Sequence, residues 1–546
     1  MESNNIVSLL RERAALNPRD YAVLFPEKTD SMGRVAYTHL TYAQLEDLSN
    51  YYAWGLQKLK ISVGDKTLLM IKPSLDFYAL LFALLKVGAV PVLIDPGMGG
   101  RGFLKCVKQV CPKVFIGIPK AHLLRLFCRS AFSSVTTLVT LGKRWFWGGK
   151  ALYELDGKHE TFPIYEPELE DLAAVLFTSG STGPAKGVCY THRIFKTQVQ
   201  LVRRIYDIKP GEMDLACFPL FSLFSIISGA AAIIPDMDPT KPGSVDPKKI
   251  IEPIYSFPVT YSFGSPALWD RVSEYCVKNH VKLPGLTRII MAGAPVAPCI
   301  HERLLNHILD EGSETYTPYG ATESLPVANF SGHEVLAGTY KESALGHGTC
   351  VGKPIQEITA AVIAITDAPI SNWRDAKLLE QGEIGELCVK GECVTREYFH
   401  RPDATALAKI KDGDSFWHRI GDVGYIDTEG RFWFCGRKAH RVVTEKGTLY
   451  SVPCEAIFNK IAGVRRSALV GLGARPKQIP AIVLELDDTK TIDAEVVLEA
   501  VKGNKLVADI KRVFFYPAFP VDVRHNAKIN REKLAVWANN QAGNSV

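Results

Sequence analysis

The sequence lacks several features that would place it quickly. None of its twelve cysteines stands in a C-x-x-C pair, which excludes a zinc ribbon or a redox-active dithiol. Single cysteines in a long chain read as small buried hydrophobes in a reducing compartment. Charge of one sign is also scarce: 64 Lys and Arg against 58 Asp and Glu leave +6 over 546 residues, and no basic arm is read, so a nucleic-acid polymer is not expected as partner. The first residues carry neither a basic n-region nor a long apolar stretch, so no signal peptide is expected. One uncharged run, residues 215–235, is long enough to span a bilayer. It holds Pro219, Ser222, Ser225, Ser228 and Gly229, and a buried strand-turn-helix is expected instead.

The chain has the length for two to four folding units and for a cleft between them. A helix is expected over residues 6–16. From about 66 to 320, short apolar runs (67–71, 90–94, 114–118, 173–177, 288–291) alternate with helical stretches (76–86, 194–206, 266–278), which implies parallel sheets covered by helices. After about 345 the texture turns to short strands with glycine turns, including a hairpin over 425–435 with its turn at 427–430. A final α+β unit has strands near 467–471, 481–486 and 512–515 and helices near 493–501 and 531–537. Lys143-Arg144-Trp145-Phe146-Trp147-Gly148-Gly149-Lys150 has two readings, a membrane-interface segment or an insertion packed on the core.

The strongest chemical signal is Leu176-Phe177-Thr178-Ser179-Gly180-Ser181-Thr182-Gly183-Pro184-Ala185-Lys186-Gly187-Val188. Glycines let backbone N–H groups close on an anion, hydroxyls add donors, and Lys186 adds charge, so the string suits a polyphosphate between a strand and a helix. It is not a Walker A loop, because Gly187 follows Lys186. His301-Glu302 begins like a zinc-protease motif, but position 305 is Leu. Neither that chemistry nor a serine nucleophile elbow nor a G-x-G-x-x-G string after a strand is expected.

The string resembles the phosphate loop of the adenylate-forming superfamily, which includes acyl-CoA synthetases, peptide-synthetase adenylation domains and luciferases. Further stretches resemble that family's motifs in order: Met291-Ala292-Gly293-Ala294-Pro295; Tyr316-Thr317-Pro318-Tyr319-Gly320-Ala321-Thr322-Glu323; His418-Arg419-Ile420-Gly421-Asp422; Gly436-Arg437-Lys438; and Asn526-Ala527-Lys528-Ile529-Asn530-Arg531. The resemblance implies an α/β fold: a large N-terminal domain (1–436) of parallel helix-covered sheets with a β-barrel-like part, and a small mobile C-terminal α+β domain (437–546).

The resemblance also implies the site, with ATP and Mg²⁺ as cofactors. Thr178, Ser179, Gly180, Ser181, Thr182, Gly183 and Lys186 would cradle phosphates. Gly293, Ala294, Pro295, Tyr319, Gly320 and Ala321 would hold adenine, with the Tyr319 ring as a stacking face. Thr178 and Thr322 would donate to the α-phosphate, and Glu323 would bind Mg²⁺. Asp422 and Arg437 would hold the ribose, and Lys528 would stabilise the charge that develops as a carboxylate attacks and pyrophosphate leaves.

Departures from acyl-CoA synthetases narrow the reading. Ser222 stands at a His position that commonly lines the acyl pocket; the surrounding Phe218-Pro219-Leu220-Phe221-Ser222-Leu223-Phe224 suggests an aromatic pocket for a long chain. Ala439 replaces the polar hinge residue. These changes, with Asp95-Pro96-Gly97-Met98-Gly99, Phe115-Ile116-Gly117-Ile118-Pro119-Lys120-Ala121-His122 and Val523-Arg524-His525-Asn526-Ala527-Lys528, resemble the β-lactone synthetase branch of bacterial olefin biosynthesis, in which a 2-alkyl-3-hydroxy fatty acid is adenylated and its own hydroxyl displaces AMP. The alternatives are a long-chain acyl-CoA synthetase, which alone would use CoA, a ligase loading a carrier protein, and a nucleotide-holding partner with weak catalysis. A cytoplasmic enzyme is expected, with a membrane surface or pathway enzymes as further contacts.

Overall fold

The computed structural model describes residues 3–178, 185–487, 490–521 and 528–543. Among these residues the strands form two seven-stranded sheets, a six-stranded sheet, a three-stranded sheet and two short two-stranded ribbons. In one large sheet, Lys150–Ala151, Thr137–Thr140, Val114–Gly117, Lys66–Met70, Val90–Ile94 and Leu172–Thr178 run parallel in that spatial order, and Lys186–Thr191 closes the edge antiparallel. The other large sheet is built alike from Glu314–Tyr316, Arg288–Met291, Tyr261–Gly264, Met213–Ala216, Ala231–Ile233 and Tyr21–Thr29, with Val35–Thr41 antiparallel at its edge.

Helix Leu75–Val87 shows how the sheets are joined. Ser74 caps its start by accepting from the Phe77 N–H, and Gly88 ends it in the left-handed region at φ 79°. A side chain at Gly88 would also strike the Tyr165 ring at 2.6 Å. Every residue from Phe77 to Val87 is buried, because the helix lies in an apolar cluster that takes Val114, Ile116 and Val139 from one sheet and Val23, Ala216 and Ile290 from the other. Its one cation, Lys86, is fully buried and is held by Glu46 at 2.8 Å, Ser49 at 2.7 Å and Asn50 at 2.6 Å.

The uncharged run folds as expected into strand Met213–Ala216, helix Ser222–Ser228 and strand Ala231–Ile233. No helix among the described residues is long and apolar enough to cross a membrane. The expected barrel-like part is the six-stranded antiparallel sheet, and the expected hairpin pairs Tyr425 with Trp433 and Ile426 with Phe432. The last strands, Val464–Leu472, Ile479–Leu486 and Arg512–Phe515, form the three-stranded sheet, backed by helices Ala494–Ala500 and Arg531–Gly543.

In the segment at 143–150 one aromatic ring packs on the core and two are exposed. Trp147 is buried, stacked on His122 at 5.1 Å, with its indole N–H donated to Thr140 at 3.0 Å. Trp145 and Phe146 point outward.

Candidate functional site

A cavity of about 2210 Å³ runs between the large sheets, the six-stranded sheet and the last unit. That exceeds the roughly 300–1,000 Å³ of an ordinary small-molecule pocket and leaves room for a nucleotide and a long apolar group together. Lys186, Gly293, Ala294, Pro295, Tyr319, Gly320, Ala321, Thr322, Glu323, Asp422, Arg437 and Lys528 all line it. Ser179, Gly180, Ser181, Thr182 and Gly183 lie outside the described residues. Thr178 is described by its backbone, which ends strand Leu172–Thr178 opposite Lys186.

That pairing corrects one expectation. The phosphate-loop string joins two antiparallel strands, Leu172–Thr178 and Lys186–Thr191, and the helix begins only at His192. Phosphate binding here cannot draw on a helix N-terminus directly after the loop.

At one wall, strand Ser415–Ile426 pairs with Phe432–Arg437 so that Asp422 faces Arg437 in register. Arg437 Nη1 lies 2.9 Å from Asp422 Oδ1, and the Tyr319 hydroxyl donates to Oδ2 at 2.6 Å. Burial pushes the Asp422 carboxyl up, opposed by the Arg437 charge and the Tyr319 bond. Oδ1 is buried and receives no hydrogen bond despite the nearby guanidinium. It is a buried acceptor beside a cavity, which a sugar hydroxyl would satisfy. The Tyr319 ring lies 5.7 Å from Phe432 and 6.4 Å from Phe434.

Across the site, Tyr398 donates its hydroxyl to Glu323 Oε1 at 2.6 Å. Lys186 sits over the Tyr398 ring, 4.8 Å from its centroid, and burial lowers its pKa while Glu323 opposes that shift. No hydrogen bond reaches the second Glu323 oxygen among the described residues, and no cluster of three His, Cys, Asp or Glu lies around it. One open carboxylate oxygen suits a hard cation that takes its remaining ligands from phosphates and water. Sequence reasoning missed Tyr398; it also missed Lys409, outside the cavity lining, which donates to the Thr395 carbonyl and whose pKa burial lowers to about 7. His418 faces Lys409 across the strands and is held neutral by burial and by that charge. Neither Tyr398 nor Lys409 falls in a recognisable string, so only the fold reveals them.

Lys528 lines the cavity close enough for its charge to act on Asp422. The helix that follows is anchored by Arg531, which donates to both oxygens of the buried Glu455 at 2.8 and 2.5 Å. The segment after Arg437 is braced on two sides. Lys438 lies 3.0 Å from Glu386, Arg441 donates to Asp367 at 2.6 Å, and Arg475 donates to the carbonyls of Ala439 at 2.6 Å and Arg441 at 2.8 Å. Ala439 therefore lacks a polar side chain within a segment that its neighbours hold.

The apolar end is aromatic, as expected. Phe221 stacks on Phe263 at 3.7 Å with Phe218 beside them. Ser222 does not line it: the side chain is fully buried, shares a hydrogen bond with Tyr78 at 2.6 Å and donates to the Pro219 carbonyl at 2.7 Å. The first residue of a helix turned toward the core cannot also face the pocket.

A second glycine string needs weighing. Gly97-Met98-Gly99-Gly100-Arg101-Gly102 follows strand Val90–Ile94 and opens helix Gly99–Val110, so the G-x-G-x-x-G spacing is present after a strand, against expectation. The carboxylate that would hold a dinucleotide ribose about 20 residues on is missing, because no Asp or Glu occurs from 96 to 153.

Comparison with known proteins agrees with this geometry. The model of the AMP-binding enzyme family matches residues 10–399. The olefin beta-lactone synthetase of Stenotrophomonas maltophilia (strain K279a) is 44% identical over 547 residues, covering 98% of each chain. The long-chain-fatty-acid–CoA ligase FadD13 of Mycobacterium tuberculosis (strain CDC 1551 / Oshkosh) is 26% identical over 528 residues, covering 94% of this chain and 95% of that one. Among solved structures, ATP-bound MatB from Rhodopseudomonas palustris superposes with a TM-score of 0.78 at 20% identity, covering 98% of this chain and 99% of that chain, a likeness of fold.

Proposed function

The chain belongs to the AMP-binding enzyme family, and from that premise we propose that it converts a long-chain 2-alkyl-3-hydroxy acid to a β-lactone, with ATP as the activating co-substrate. A carboxylate oxygen of the acid attacks the α-phosphorus of ATP, and pyrophosphate leaves. The acid's own β-hydroxyl then attacks the acyl carbon, the bond to the phosphate oxygen breaks, and AMP departs as the ring closes and the hydroxyl proton is lost. The observation that carries the reading is one cavity lined both by Asp422, Arg437, Glu323 and Lys528 and by the Phe218, Phe221 and Phe263 rings. The 44% identical relative named for this reaction supports it.

In this reading Asp422 accepts from the ribose, Arg437 bonds the ribose or phosphate, and Tyr319 with Gly293, Ala294, Pro295, Gly320 and Ala321 holds the base. Thr178, Thr322 and Lys186, with Ser179 to Gly183, hold phosphates. Glu323 would hold Mg²⁺ together with phosphate oxygens, and the ion would neutralise charge on the leaving pyrophosphate. Lys528 stabilises the charge on the α-phosphate and carboxylate as they react. The tethered hydroxyl replaces a bound thiol through its effective molarity, which suits an Ala at position 439. The division at 436/437 belongs to the same reading; it falls at the last residue of strand Phe432–Arg437 of the six-stranded sheet, ahead of the three-stranded sheet.

The test is product analysis. With Mg-ATP and the hydroxy acid, the account expects AMP and a product lighter than the acid by one water, whether or not CoA is added. An acyl-CoA from a plain fatty acid, with no lactone, would instead support the ligase reading that the 26% identical relative suggests.

A further inference from the structure

Basic residues are not evenly spread, contrary to the expectation from the chain-wide charge. Residues 96–153 hold ten Lys and Arg and no Asp or Glu, so that against +6 overall the rest of the chain carries a net −4. Its strands Val114–Gly117, Thr137–Thr140 and Lys150–Ala151 belong to the first large sheet, and its helices form one layer on that sheet. Helices Gly99–Val110 and Pro119–Phe127 and the turn after them press Phe103, Val107, Ala121 and Phe132 into one apolar cluster on the first large sheet. The 141–149 loop joins the layer through the Trp147 ring stacked on His122. With Trp147 turned in, its neighbours are turned out: Trp145 is 46% and Phe146 78% exposed, and Phe127, at the end of its helix, is 85% exposed. Lys120, Arg129 and Lys143 are exposed in the same layer, and Lys150 is exposed on the edge strand of the sheet. Of the neighbouring carboxylates, Glu154 is engaged by Arg144 at 3.3 Å and by the Ala151 N–H at 2.8 Å, and Asp65 is engaged by Lys113 at 2.7 Å.

We propose that this layer is a docking surface for an anionic phospholipid membrane. Exposed aromatic rings settle at the headgroup level, where one face is apolar and the surroundings are wet. Lys and Arg beside them gain from the negative surface potential of anionic lipid. A cationic surface alone would serve any polyanion; three exposed rings among the cations favour the lipid interface. The surface stands apart from the cavity lining and does not depend on the reaction proposed above.

The test uses the full-length protein and vesicles of phosphatidylcholine alone or with phosphatidylglycerol, read by co-sedimentation. Binding is expected to the phosphatidylglycerol vesicles and to weaken with added salt. Trp145→Ala/Phe146→Ala and, separately, Lys120→Glu/Lys143→Glu should each lower the partition coefficient about tenfold, while Leu16→Ala, an exposed apolar change outside the layer, should leave it unchanged. All are surface substitutions, and circular dichroism checks folding; if one pair unfolds, the other still decides. Failure to bind phosphatidylglycerol vesicles at low salt, or equal loss in the Leu16 variant, overturns the proposal. So does binding of an oligonucleotide that the charge variant loses and the aromatic variant keeps, which would assign the surface to a polyanion.

Discussion

The hydroxyl of Tyr319 donates to the carboxylate of Asp422 at 2.6 Å, across 103 residues of chain. One bond thus joins the proposed adenine-side and ribose-side residues and fixes one oxygen of a buried carboxylate, leaving Oδ1 as its remaining acceptor. Removing the donor without the ring isolates that link. Tyr319→Phe should raise KM for ATP about tenfold with little change in kcat, because a hydrogen bond to a charged group is worth about 1.5–3 kcal/mol. Asp422→Asn should cost more. Steady-state kinetics in ATP decide it; an unchanged KM in the Phe variant would remove the bond from nucleotide binding.

Asp214 sets a pH dependence of stability. It is fully buried on strand Met213–Ala216, takes one hydrogen bond from Ser225 at 2.7 Å, and has a second oxygen with no partner. Burial raises its pKa from 3.8 to about 7. The folded state therefore holds a proton that the unfolded chain has released. The stabilisation is complete below pH 3.8 and is lost as pH rises through 7, a change on the order of 4 kcal/mol for this group. Asp214→Asn should flatten that slope and gain on the parent above pH 7, as denaturant midpoints at pH 5 and pH 8 would show. Parallel pH profiles would contradict the assignment.

Glu386 and Arg419 form a buried pair at 2.7 Å, and Lys438 shares the same carboxylate at 3.0 Å. Deleting Glu386 strands a guanidinium in the interior, so Glu386→Ala should destabilise by about 3–5 kcal/mol. Lys438→Ala should cost less, since Lys438 is the more exposed partner. Urea titration of the single and double variants measures both, and additive costs for Glu386→Ala and Lys438→Ala would show that the two do not interact.

These buried pairs mark where the sequence stopped being legible. The alternation of apolar runs and helices could be read locally, because a parallel strand buried on both faces is a short apolar run whatever its neighbours; Val90–Ile94 and Arg288–Met291 were readable that way. The motif residues were readable because each lies in an ordered string, and Lys186, Tyr319, Glu323, Asp422, Arg437 and Lys528 from those strings line one cavity. Tyr398 beneath Glu323 and Lys438 on Glu386 were not, since each contact joins residues more than fifty positions apart. Ser222 was misplaced because a substitution at a pocket position says nothing about which way the helix turns. The loop after Thr178 was expected to enter a helix because the second strand, Lys186–Thr191, is short and merges with the helical pattern behind it.

Lys528 carries a separate prediction. Lys528→Ala should lower the rate of pyrophosphate release by about 10²–10³, the scale of removing one preorganised charge donor, while the ion pair of Arg531 with Glu455 keeps the following helix in place. Release is followed in a coupled assay, with ATP affinity measured alongside. Release at the parent rate would remove Lys528 from the first step.

The central claim is that the acid's own β-hydroxyl displaces AMP. It is tested most directly by following AMP formation with two matched long-chain 2-alkyl acids, one bearing the 3-hydroxyl and one lacking it, each with and without CoA. The account predicts sustained AMP release from the hydroxy acid without CoA, and from the deoxy acid only pyrophosphate exchange without turnover. Sustained AMP release from the deoxy acid when CoA is supplied, with an acyl-CoA as product, would contradict it.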